Sequence, residues 1–124
     1  MPSILICDDE REIVDGLLIL FQDPEVKLLS CYSGNEAIDI LKRESVDIVV
    51  CDFMMLDGNG EDVLSYLQTR EESFPKTFIF FSAHFNLLGF SNPSVKVIPK
   101  PEIMNLVTVV TEKLRHLRKN KHEV

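Results

Sequence analysis

Short apolar runs alternate with stretches of helical period along the whole chain. Ser3–Cys7 is the first run, and Glu10–Gln22 follows with Ile13, Val14, Leu17, Leu18 and Phe21 on one helical face. Val26–Cys31 predicts a second strand. Ser33-Gly34-Asn35-Glu36 then has the form of a capping box, a hydroxyl followed by a glutamate one turn on, and opens a helix carrying Ala37, Ile38 and Leu41. Val46–Cys51 is almost wholly apolar, as suits a strand covered on both faces. Asp57-Gly58-Asn59-Gly60 reads as a loop and Glu61–Thr69 as a helix with Val63, Leu64 and Leu67 inward. Thr77–Ser82 and Val95–Ile98 are the fourth and fifth strands, and Glu102–Leu117 closes as a helix with Ile103, Leu106, Val107, Val110 and Leu114 toward the core. Strands alternating with helices imply right-handed crossovers. The expected fold class is therefore α/β, a doubly wound parallel sheet of five strands with helices on both faces.

Composition narrows the setting. A length of 124 residues fits one domain over 1–124, and a hydrophobic share of 45% is enough to build its core. With 13 basic against 20 acidic side chains the formal charge is −7, so direct contact with nucleic acid is not expected. The longest strongly apolar run, Leu17–Phe21, falls far short of the roughly 20 residues that cross a bilayer. The opening Met-Pro-Ser-Ile-Leu-Ile-Cys-Asp-Asp-Glu lacks the basic start of a secretory signal. No membrane association and a cytoplasmic location are expected. Cys7, Cys31 and Cys51 lie in strand-like runs without CxxC spacing and read as buried thiols. Residues 112–124 carry 5 basic and 2 acidic side chains, which suits the end of a helix running into a frayed basic tail at 118–124.

In a parallel α/β sheet, ligands bind at the carboxyl ends of the strands. Here those ends bring together Asp8-Asp9, Asp52, Ser82 and Lys100, with Glu10 nearby. Like charges about 4 Å apart cost roughly 1 kcal/mol per pair in water and several times that near a protein surface, so such a cluster calls for a cation. Hard oxygen ligands that leave room for water suit Mg²⁺. Asp52 can then act as nucleophile toward a phosphoryl group, with Lys100 and the Ser82 hydroxyl facing its oxygens. Taken singly each residue has a plainer role: Asp8 and Asp9 as helix caps, Asp52 as a loop acid, Lys100 as a solvated lysine.

The pieces Ile4-Leu5-Ile6-Cys7-Asp8-Asp9-Glu10, Asp47-Ile48-Val49-Val50-Cys51-Asp52-Phe53-Met54-Met55, Gly60, Ser82-Ala83 and Lys100-Pro101 resemble the receiver domain of two-component response regulators, over essentially the whole chain. The resemblance implies a flavodoxin-like strand order 2-1-3-4-5. It implies Asp52 as phosphoacceptor, Ser82 as switch hydroxyl and Lys100 as phosphate-binding lysine. Mg²⁺ would be held by Asp8, Asp9, Asp52 and the backbone carbonyl of Met54. A sensor histidine kinase or phosphotransfer protein would be the phosphodonor, and the Lys100–Pro101 bond is commonly cis in this family.

Several positions depart from the family pattern. Leu56 replaces the usual proline, which predicts a looser loop after Asp52, and Val97 replaces an aromatic switch residue. Gly89 and Pro93 fall in a short stretch before the fifth strand, so the fourth helix is expected to be brief or irregular. Pro99 requires that strand to lie at the sheet edge. Met54 and His84 stand where water attack on the phosphoryl group is controlled, and neither supplies a carboxylate or amide; a long-lived phosphorylated state is expected. Phe85, Leu87, Leu88 and Phe90 either cap the core or form an apolar patch, with homodimerisation through the 84–117 face as one use. Three alternatives remain at this point: a receiver-like interaction module indifferent to phosphorylation, a flavin carrier, and a haloacid-dehalogenase-type phosphatase. The last needs an acid two residues after its nucleophile, where this chain has Met54.

Overall fold

The computed structural model of the chain describes residues 1–70, 72, 74–83 and 93–122. Its elements are β1 (Ser3–Cys7), α1 (Arg11–Leu20), β2 (Lys27–Cys31), α2 (Gly34–Arg43), β3 (Ile48–Cys51), α3 (Gly60–Gln68), β4 (Thr77–Ser82), β5 (Val95–Pro99) and α4 (Ile103–His122). The five strands form one sheet in the order β2-β1-β3-β4-β5, every neighbouring pair parallel. The doubly wound fold and its strand order are as expected. Residues 84–92, with His84, the expected irregular fourth helix and the apolar patch, lie outside the described residues.

The two faces of the sheet bury two separate cores, because side chains alternate along each strand. Ile4, Ile6, Ile48, Val50, Ile79 and Phe81 pack under α1 and α4, against Val14, Leu17, Leu106 and Val110. Leu5, Cys7, Cys31, Val49, Cys51, Phe78 and Phe80 face the other way, under Ala37 and Leu41 of α2 and Val63, Leu64 and Leu67 of α3. All three cysteines are free and buried. Phe80 meets Phe78 and Phe53 edge-on, at centroid separations of 4.9 and 5.3 Å.

Two expectations about the last helix are corrected. Ile103 is exposed rather than turned into the core, since the first turn of α4 starts past the end of β5. The helix also continues to His122 instead of fraying after Leu117. Arg118 ties this part of the helix to the segment after α1, donating from Nη2 to Asp23 Oδ2 at 2.8 Å, with Nε 3.8 Å from Glu25 Oε2. β5 is indeed an edge strand, which accommodates Pro99. No described helix is long and apolar enough to cross a membrane.

Candidate functional site

Four of the five strands each deliver one polar residue to the same edge of the sheet. Asp8 follows β1, Asp52 follows β3, Ser82 ends β4 and Lys100 follows β5. Asp8, Asp52 and Ser82 are buried, and the Lys100 side chain is only 14% exposed. Backbone bonds set the strand ends level: Asp52 N–H donates to the Cys7 carbonyl at 2.9 Å and Lys100 N–H to the Ser82 carbonyl at 3.1 Å. The Lys100–Pro101 bond is cis, as the resemblance implied.

The carboxylates of Asp8, Asp9 and Asp52 each bring an oxygen within 4.8 Å of the others. Lys100 Nζ lies among them, 2.8 Å from Asp8 Oδ2, 3.4 Å from Asp52 Oδ2 and 3.5 Å from Glu10 Oε2. Burial pushes the Asp8 carboxyl up to about 6, although Lys100 and the Glu10 N–H, which Asp8 Oδ1 accepts at 2.9 Å, pull it down; the Asp52 charge adds to the rise. For Lys100, burial opposes the charged form, but its bond to Asp8 and the charges of Asp8, Asp52 and Glu10 outweigh that and hold the ammonium above its ordinary range. One ammonium thus pairs with three acids, while Asp9 adds a fourth carboxylate to the cluster. That all-oxygen, anionic donor set, converging with charge to spare, fits a hard divalent cation.

The loop between β3 and α3 closes the site. Asp9 Oδ2 accepts the Leu56 N–H at 3.3 Å. Gly60 N–H donates to the Phe53 carbonyl at 2.9 Å, and a Cβ at Gly60 would lie 2.3 Å from the Asp52 carbonyl oxygen, so only glycine fits there. Asn59 and Asp62 cap α3 reciprocally. Where proline would have no N–H, leucine ties the loop to Asp9. Met54 sits on this loop with its side chain largely exposed. Beside it, Asp9, Met54, Met55, Leu56 and Asn59 line an open cavity of about 220 Å³.

Asp8 is not the cap of α1; that position belongs to Glu10. Glu10 itself was no more than a nearby acid in the sequence, yet it pairs with Lys100 across 90 positions. Val97 is half-buried on β5 opposite Phe80. Asn35 stands in the sequence only as a member of the α2 capping motif, with no sign of a partner across the chain. Its side chain donates to Asp57 Oδ1 at 2.9 Å, from the start of α2 to the loop that carries Leu56.

Comparison with known proteins places this arrangement. The model of the response regulator receiver domain family matches residues 4–88. The response regulator SaeR of Staphylococcus aureus (strain USA300) is 30% identical over 99% of this chain and 55% of its own length. The chain spans about half the length of the curated relatives it matches. Among solved structures, a response regulator receiver protein from Sinorhizobium medicae WSM419 shares the fold with a TM-score of 0.76 at 24% identity, over 92% of this chain and 94% of that one. The receiver domain of the Francisella response regulator 1452 does so with a TM-score of 0.71 at 20% identity, over 92% and 99%. On fold, strand-end residues and family match together, the chain belongs to the response regulator receiver domains.

Proposed function

We propose that Asp52 accepts a phosphoryl group from a phosphohistidine of a sensor histidine kinase or phosphotransfer protein, and that the chain signals by the conformational change that follows. A carboxylate oxygen of Asp52 attacks phosphorus, the P–N bond breaks, and the imidazole leaves with the electron pair and takes up a proton. Asp8, Asp9, Asp52 and the Met54 carbonyl would hold Mg²⁺. When bound, Mg²⁺ supplies positive charge that offsets the crowded carboxylates and the phosphoryl oxygens.

The chain's own residues do the rest. Lys100 reaches Asp52 at 3.4 Å, so its ammonium can follow an oxygen of the group attached there. The Ser82 hydroxyl, at the end of the neighbouring strand, donates to another oxygen. The observation that carries this reading is the convergence of the Asp8, Asp9 and Asp52 carboxylates at the carboxyl edge of a parallel sheet, with the Lys100 ammonium paired to two of them. Such a site modifies itself rather than turning over a separate substrate, and Met54 leaves no acid in place for phosphatase chemistry.

Intact mass after incubation with a small acyl phosphate and Mg²⁺ tests it. The expected result is uptake of one phosphoryl group that disappears with chelator and in Asp52→Asn. Equal uptake by Asp52→Asn would sink the assignment.

A further inference from the structure

The first turn of α2 and the β3–α3 loop, far apart in sequence, are locked together. The N–H groups of Gly34 and Asn35, which a helix start leaves without partners inside the helix, donate to the carbonyls of Gly58 at 2.9 Å and Asp57 at 3.2 Å. The next N–H, of Glu36, is capped by Ser33 Oγ at 3.1 Å. Asp57 and Gly58 both adopt positive φ, 58° and 91°, to present those carbonyls. A Cβ on Gly58 would come within 2.9 Å of Asn35 N, so the two segments touch as closely as backbone allows. The Asn35 amide then adds its own bond to the Asp57 carboxylate. One residue before Asp57, the Leu56 N–H meets Asp9 Oδ2.

We propose that Asn35 is a positioning residue for Asp9: through Asp57 it holds the Leu56 N–H on the Asp9 carboxylate and so keeps that carboxylate turned into the acidic cluster. Two features support this. In the arrangement where Leu56 grips Asp9, an Asp9 oxygen stands within 4.8 Å of oxygens of Asp8 and Asp52. The cavity bounded by Asp9, Met54, Met55, Leu56 and Asn59 leaves room for the carboxylate to swing away once the grip is lost. A preset carboxylate needs less reordering when a cation arrives. The inference rests on reading the cluster as a cation site, and it extends that reading to residues that touch no cation.

The test uses the full chain and four variants: Leu56→Pro, which deletes the N–H, Asn35→Ala, the double variant of these two, and Asp9→Ala. Mg²⁺ affinity is read by titration calorimetry, and amide hydrogen exchange at Leu56 is read without cation in the variants that keep this N–H. A typical hydrogen bond is worth about two- to tenfold, and solvent exposure keeps these bonds to carboxylates within that range. Leu56→Pro should therefore weaken Mg²⁺ binding about fivefold and Asn35→Ala about twofold. The double variant should be no weaker than Leu56→Pro, because both act through one contact. In Asn35→Ala and in Asp9→Ala, exchange at Leu56 should quicken while the melting temperature moves little. Affinity unchanged in Leu56→Pro, or additive losses in the double variant, would overturn the proposal. If Leu56→Pro does not fold, Leu56 exchange that is unaltered in Asn35→Ala overturns it instead. Wild-type protein that binds no Mg²⁺ would refute the cation site, and exchange at Leu56 would still decide the clasp on its own.

Discussion

Replacing Asp8 by asparagine should make the cation-free chain more stable while removing a ligand it needs. In the folded chain the Asp8 carboxyl titrates near 6, against an ordinary value of 3.8. Between those values the folded state holds more protons than the unfolded one, so stability falls as pH rises through that window and stays low above it. At 1.36 kcal/mol per pH unit the ceiling is about 3 kcal/mol; water reaching the open side of the site reduces it to roughly 1–2 kcal/mol. Asparagine keeps an oxygen for the Glu10 N–H, and Lys100 keeps Asp52 and Glu10 as partners. Thermal unfolding in chelator near pH 7 should then show Asp8→Asn melting about 4–8 °C above wild type. Near pH 4.5 the gap should shrink, because wild-type Asp8 is by then largely protonated. A lower melting temperature at pH 7, or a gap equal at both pH values, would refute the reasoning. Added Mg²⁺ should stabilise wild type and leave the variant behind.

Gly60→Ala should destabilise by about 1–3 kcal/mol, since a Cβ 2.3 Å from the Asp52 carbonyl must push it back by about an ångström. The same shift should slow phosphoryl uptake, read by intact mass, and a variant as stable and as reactive as wild type would contradict the packing. Met54→Asn should shorten the lifetime of phospho-Asp52, followed by loss of the adduct over time, because an amide there can orient an attacking water. An unchanged lifetime would show that Met54 does not set it. Arg118→Ala should speed amide exchange through the last turns of α4, where the arginine holds Asp23. The Arg118 bond holds the Asp23 carboxyl below its ordinary range, so this contribution is present at neutral pH and is lost as pH falls through the folded value. An acid limb of the stability curve identical in the variant would argue against it.

The strands and their polar ends were legible because each rests on a local signal: an apolar run, then a carboxylate, hydroxyl or ammonium where the run stops. The α2 cap was legible for the same reason, whereas the Asn59–Asp62 box hid inside a Gly-rich stretch that looked like loop. Contacts across sequence were not. Nothing local to Asn35 points to Asp57, and nothing near Arg118 points to Asp23, so the tail was read from its charge alone. At Leu56 the local signal is half of the story. The sequence reveals the loss of a rigid ring there, while the N–H gained in exchange matters only once Asp9 is seen opposite it.

The row of thiols across the sheet has a practical consequence. Cys31, Cys7 and Cys51 occupy matching registers on three adjacent strands, at most 1% exposed, one residue inside the acidic edge. Contact with the Cys7 thiol, together with burial, pushes the Cys31 thiol far above its ordinary range. A thiol kept protonated and out of water is inert to alkylating reagents, and it becomes reactive when the strands beneath Asp8 and Asp52 part. The chain therefore carries its own clock for opening of the sheet. The rate at which iodoacetamide labels these cysteines, with and without Mg²⁺ or a phosphodonor, reports how firmly the acidic edge is held shut, without any introduced probe.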